Sequence, residues 1–141
     1  MARMLSLDRV LGGLRSIDWR GLGVEWVVLH GSLAKRGVGR DVDLLIHRAS
    51  VGGEAVLELS VKVADSLGVD PDQVDVTEAR EAPCALLREA WRSGIPVYEA
   101  RPGAAREWLL VRVEVCNDYE LSRRKLGVVE EAARAARRRW G

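Results

Sequence analysis

Apolar positions recur along this chain in two rhythms, one helical and one of short unbroken runs. Leu5, Val10, Leu11 and Leu14 fall near helical spacing over residues 4–16. Asp8 comes early there, where it suits the helix dipole, while Gly12-Gly13 weakens the pattern. Val24 to His30 is a run of Val, Trp and Leu bounded by glycines, which predicts a buried strand. Gly31-Ser32 ends that run, with Ser32 placed to cap a short helical turn through Lys35 or Arg36, and Gly37-Val38-Gly39 predicts a loop. Asp41 to His47 predicts a second buried strand. Val56, Leu59, Val63 and Leu67 form the stripe of a helix opened by Gly52-Gly53 and stopped by Gly68. A short strand is expected over Asp72–Thr77, then a helix from Pro83 to Gly94, then a strand over Ile95–Glu99.

From Ala104 to Arg139 apolar residues follow spacings of three and four, favouring one long helix. Val111, Val113 and Val115 alternate with Arg112 and Glu114, which leaves a local strand open, and Gly127 is a candidate kink. Together the elements predict an α/β (α+β) fold: a small mixed sheet of about four strands packed against helices, with a long C-terminal helix.

Composition adds little to this picture. The chain has 141 residues, 48% hydrophobic and 30% charged, and a net charge of +1, which gives no support to nucleic-acid binding through overall charge. Cys84 and Cys116 share no metal-ligand spacing and are expected as packed thiols. No run reaches the length of a membrane span and the N-terminus lacks a signal-peptide core, so a cytoplasmic protein is expected. Scarce amides with many charges suggest a thermophile source, although a GC-rich genome would give the same bias.

The candidate chemistry lies between the first two buried strands. Gly31-Ser32, at a strand end before a short helix, offers free backbone N–H groups that phosphate oxygens bind well. Asp41 and Asp43 stand at i and i+2 of a strand, so both carboxylates share one face, with Val42 and Leu44 on the other. Paired like charges raise each other's pKa, and divalent magnesium or manganese would resolve the conflict. A third carboxylate, Asp75, lies between Val74 and Val76 and is expected to face away from the core with Gln73 and Thr77. If its strand pairs beside the Asp41–Asp43 strand, all three carboxylates converge. That is a kit for two-metal nucleotidyl transfer, with Asp75 also a candidate general base. Lys35, Arg36 and Arg40 in the intervening loop are candidate triphosphate contacts. His30 is expected to line the edge of this site and His47 to be a surface residue. Arg134 and Arg137 to Arg139 complement a helix C-terminus, with an RNA or acidic partner as the rival reading.

The segment from His30 to Gly37, followed by Arg40-Asp41-Val42-Asp43-Leu44-Leu45-Ile46 and Gln73-Val74-Asp75-Val76, resembles the signature of the minimal nucleotidyltransferases of the DNA polymerase beta-like superfamily. The likeness covers roughly residues 22–100 and extends to Leu86–Ala90 and Gly94–Glu99. It implies a nucleotidyltransferase domain over 1–100, with 101–141 as its C-terminal helical extension. It further implies ATP as substrate and two Mg2+ ions (Mn2+ as substitute). Asp41, Asp43 and Asp75 would be catalytic and metal-binding, and Gly31 and Ser32 would hold the β- and γ-phosphates. A HEPN-domain toxin is the partner implied by the family, some members of which act as antitoxins by adding AMP to a tyrosine. One departure is the loop: eight residues separate Ser32 from Asp41, fewer than the family usually has.

Three functions follow as expectations. One is an enzyme transferring a nucleoside monophosphate to an acceptor hydroxyl on a protein, an RNA end or, least expected, a small molecule. The second is a non-catalytic, antitoxin-like module that occludes a partner. The third is an RNA-binding protein, disfavoured by charge and by few aromatics. Self-association is a further expectation.

Overall fold

The computed structural model describes residues 3–49 and 56–140. Gly52-Gly53, the expected start of the third helix, lies outside the described residues. The element order is β1 (Leu5–Ser6), α1 (Leu7–Arg15), β2 (Val24–His30), α2 (Gly31–Arg36), β3 (Val38–Gly39), β4 (Val42–Arg48), α3 (Val56–Leu67), β5 (Val74–Glu78), α4 (Cys84–Ser93), β6 (Ile95–Glu99) and α5 (Ala104–Trp140).

The main sheet has the order β5-β4-β2-β6. β2 pairs antiparallel with β4 and β6, whereas β4 and β5 are parallel, joined by the α3 crossover. Strand alternation splits the side chains between two layers. Val27, Leu29, Val42, Leu44, Ile46, Val74 and Val76 bury one face against α1 and α3. Trp26, Val28 and Leu45 bury the other against α4 and the first part of α5.

Several boundaries differ from the sequence expectation. The first helix starts at Leu7, because Leu5 and Ser6 pair with Gly39 and Val38 and the Leu7 N–H donates to the Gly37 carbonyl at 2.9 Å. The loop over 37–39 therefore contributes a two-residue strand. Ser32 does not cap α2; His30 occupies the N-cap position without a side-chain bond, and Ser32 lies inside the helix. β5 begins at Val74, and Gln73 ends a 3-10 turn. Gln73 is buried rather than outward-facing, because its amide donates to the Arg40 carbonyl at 2.7 Å and its oxygen caps the Asp70 N–H.

Residues 104–140 form one helix, continuous through Val111–Val115 and Gly127. Ala105, Leu109, Val113 and Cys116 are buried at helical spacing, and that packing overrides the local alternation. The cysteines are joined, not free: Cys84, the first residue of α4, bonds Cys116 of α5 across a Cα–Cα distance of 5.9 Å. Docking of α4 on α5 brings them within disulfide reach despite 32 residues of separation. Disulfides persist in oxidising compartments and in the cytosol of hyperthermophiles, so this bond weighs against the expectation of an ordinary reducing cytoplasm. Among the described residues no helix is long and apolar enough to cross a membrane.

Candidate active site

The site forms where β2 ends and β4 and β5 begin. His30 stands opposite Asp43 across the antiparallel pair, and Asp43 stands opposite Asp75 across the parallel pair. On all three strands these residues belong to the set opposite Leu29, Leu44 and Val76, so they share the face covered further along by α4 and α5. The expectation that β5 lies beside the aspartate strand is met.

Gly31 follows directly, with φ +80°. A Cβ at this position would lie 2.2 Å from Oδ2 of Asp43. Glycine is therefore required twice here, by its left-handed backbone and by the approach of the carboxylate. The chain then turns into α2, whose first N–H groups have no intrahelical acceptors. Gly37, also left-handed, closes α2 with its N–H on the Leu33 carbonyl.

The carboxylates repel. Burial raises the Asp43 carboxyl from its ordinary value to about 6, with added contributions from Asp75, Asp41 and Glu89. Asp41 is exposed and sits one residue before β4, yet is close enough to act on Asp43. Asp75 is exposed as well. Among the described residues no group of three His, Cys, Asp or Glu side chains is drawn together tightly enough to hold a metal. The donor chemistry nevertheless fits a hard divalent cation: two carboxylates in register, one of them driven towards protonation by burial and then by its acidic neighbours.

The basic candidates are distributed differently. Lys35 pairs with Glu89 of α4 at 2.6 Å. Arg36 and Arg40 are exposed, and the Arg40 carbonyl receives the Gln73 amide. Ser32 is exposed on α2. Glu89 was not among the expected site residues: it lies in the Leu86–Ala90 stretch that resembles the family, but only the docking of α4 over α2 brings it to the site. Its carboxyl is lowered by the hydrogen bond from Lys35, and it acts on both His30 and Asp43.

His30 is buried, and its Nε2 lacks a hydrogen-bond partner. Burial lowers its pKa against the opposing pull of Glu89 and Asp75, which favours the neutral imidazole. His47 is not a surface residue. Its ring stacks on Trp26 at 5.5 Å between centroids and lies 5.4 Å from Trp108. Its Nδ1 is 3.3 Å from a Glu25 oxygen, close enough for charge attraction but not aligned as a hydrogen bond.

The fold recurs in solved structures. A toxin–antitoxin structure with AMP-PNP contains a chain matching at TM-score 0.63 and 18% identity, over 89% of this chain and 98% of that one. The chain has the nucleotidyltransferase fold. A toxin–antitoxin MntA–HepT complex matches at TM-score 0.55 and 20% identity, over 88% of this chain and 94% of that one. A tri-AMPylated Shewanella oneidensis HEPN toxin in complex with MNT antitoxin matches at TM-score 0.57 and 19% identity, over 88% and 93%. No family profile matches the sequence, and no curated protein matches it.

Proposed function

We propose that this chain is a nucleotidyltransferase that moves AMP from ATP to an acceptor hydroxyl and acts as the antitoxin of a HEPN-type toxin. The observation that carries the reading is the Asp43–Asp75 register beside Gly31, whose missing side chain leaves room for the Asp43 carboxylate at the start of α2. Structural likeness to toxin–antitoxin chains, one crystallised with AMP-PNP and one with an AMPylated toxin, supports the substrate and the partner.

In this mechanism the acceptor oxygen attacks the α-phosphorus of ATP. The bond to the bridging oxygen of the β-phosphate breaks, and pyrophosphate leaves with that electron pair. Backbone N–H groups of Gly31 and Ser32 bind the β- and γ-phosphates at the helix start. Arg36 and Arg40 supply exposed positive charge beside them, and Lys35 joins them by exchanging Glu89 for phosphate. Asp41, Asp43 and Asp75 would hold two magnesium ions, which when bound supply charge neutralisation of the triphosphate and a lower pKa for the acceptor hydroxyl. Asp75, the more exposed of the paired carboxylates, accepts the hydroxyl proton. His30 stays neutral and buried behind the carboxylates and packs the floor of the site.

The test is calorimetric titration of ATP with magnesium into the wild type and into Asp41→Asn/Asp43→Asn. Metal-dependent binding by the wild type alone supports the site. Absence of binding by folded wild type would overturn an independently competent enzyme and favour a module that acts by occluding its partner.

A further inference from the structure

The second half of α5 has no counterpart to cover it within the described chain. Ala105, Leu109, Val113 and Cys116 bury the helix against the body, and beyond Cys116 that same stripe turns polar at Glu120, which pairs with Arg88 at 2.8 Å. A second apolar stripe begins as the first ends. Val115, Tyr119, Leu126 and Val129 are 55%, 62%, 62% and 65% exposed. With Ser122, Ala133, Ala136 and position 140 they follow alternating steps of four and three residues, the heptad seam of a coiled coil.

We infer that α5 pairs antiparallel with α5 of a second copy of this chain, through the seam from Val115 to position 140. The overlap spans ~39 Å of helix at 1.5 Å per residue. Antiparallel pairing sets large residues opposite small ones: Tyr119 opposite Ala136, Ser122 opposite Ala133, and Leu126 opposite Val129. The flanking positions match in charge. Arg123 faces Glu130 of the second copy and Asp118 faces Arg139, each twice by symmetry, with no like-charged pair among them. A parallel pairing would instead place Arg112 against Arg112 on the seam and Tyr119 against Tyr119. The antiparallel arrangement also keeps the two bodies at opposite ends. It is independent of the nucleotide site.

Sedimentation equilibrium of the full chain tests this. The wild type should be a concentration-dependent dimer. Leu126→Asp/Val129→Asp should be monomeric with the thermal transition of the body retained, read from the buried Trp19 and Trp26. Arg123→Glu should weaken the dimer roughly tenfold, as two flanking attractions become repulsions. Adding Glu130→Arg should restore it, since the antiparallel partners are then exchanged. In a parallel dimer the double change would leave Asp118 facing Glu and Lys125 facing Arg, and association would stay weak. A wild type monomeric at every soluble concentration, or a dimer that the double change fails to restore, overturns the inference. A monomer that binds a helical partner of another sequence through Leu126 overturns it as well.

Discussion

Replacing Asp43 by Asn should stabilise the protein without metal while destroying its metal-dependent nucleotide binding. The carboxyl is raised from 3.8 to about 6, first by burial and then by Asp75, Asp41 and Glu89. Because the folded pKa exceeds the unfolded one, the folded state binds the proton more tightly. Its advantage is complete below pH ~4 and is lost as pH rises through ~6. At about 1.4 kcal/mol per pKa unit, the full cost of charging Asp43 at neutral pH is ~3 kcal/mol. Asp43 is only half-buried and its neighbours are exposed, so solvent screening reduces this to about 1–2 kcal/mol. Asn has nearly the same shape and no charge, so Asp43→Asn should raise Tm in EDTA at pH 8 by roughly 3–8 °C. At pH 5 the folded carboxyl is largely protonated while the unfolded one is charged, so about half of the difference should remain, and it should fade only towards pH ~4. Magnesium should raise the Tm of the wild type and leave the variant unmoved. Thermal denaturation at the two pH values, with and without magnesium, reads all three. A variant less stable than wild type in EDTA at pH 8, or a gap unchanged at pH 5, would refute the electrostatic account.

Other changes probe separate parts of the fold. Gly31→Ala forces a methyl against Asp43 at a left-handed position and should cost about 2 kcal/mol or more, seen in urea unfolding, with loss of ATP binding. Glu89→Gln releases Lys35 and should tighten ATP binding severalfold by calorimetry; weaker binding would show that Glu89 helps hold the cation instead. Cys116→Ser opens a loop of 32 residues and should cost about 3–4 kcal/mol relative to the oxidised protein, a loss that reductant reproduces in the wild type. Leu44→Ala in the buried β4 core should cost about 2–5 kcal/mol in the same assay.

Much of the fold was legible because burial writes itself into the strand runs. Val24–His30 and Val42–Ile46 are apolar on both faces, as a two-sided sheet demands, and the Val74-Asp75-Val76 alternation placed Asp75 opposite the α3 layer. The pairing of β1 with β3 was not legible, since two residues held by backbone bonds leave no side-chain pattern. Gln73 was misplaced for a related reason. Period-two reasoning assumes a strand, while Asp70 and Pro71 start a 3-10 turn that points the amide inward to Arg40. The Cys84–Cys116 bond and the reach of Glu89 depend on how α4 lies over α5 and α2. No spacing within either helix encodes that docking. The carboxylate cluster was readable in its order, yet its present geometry keeps Asp41 off the strand and exposed.

The departures from local rules are not scattered, and their place is itself an argument for the site. At the end of β2 and the start of β4 and β5 the chain accepts a left-handed Gly31 and a half-buried Asp43 pressed towards protonation. It also accepts a buried His30 whose Nε2 finds no partner. Two of these oppose stability: Asp43 is charged against burial and its acidic neighbours, and His30 buries a ring nitrogen that makes no hydrogen bond. At the far end of the same sheet face, His47 is half-buried, with Trp26 stacked on its ring and Glu25 beside an Nδ1 that likewise makes no hydrogen bond. The two histidines on this face differ in their surroundings: His47 lies between Trp26 and Trp108, whereas His30 stands beside the carboxylates of the site. An uncharged residue in place of Asp43 would remove the cost of charging a half-buried carboxyl and gain stability. Carboxylate charge concentrated at one end of the sheet, beside a helix start with free N–H groups, is what a site that binds cations and phosphate together requires before they arrive.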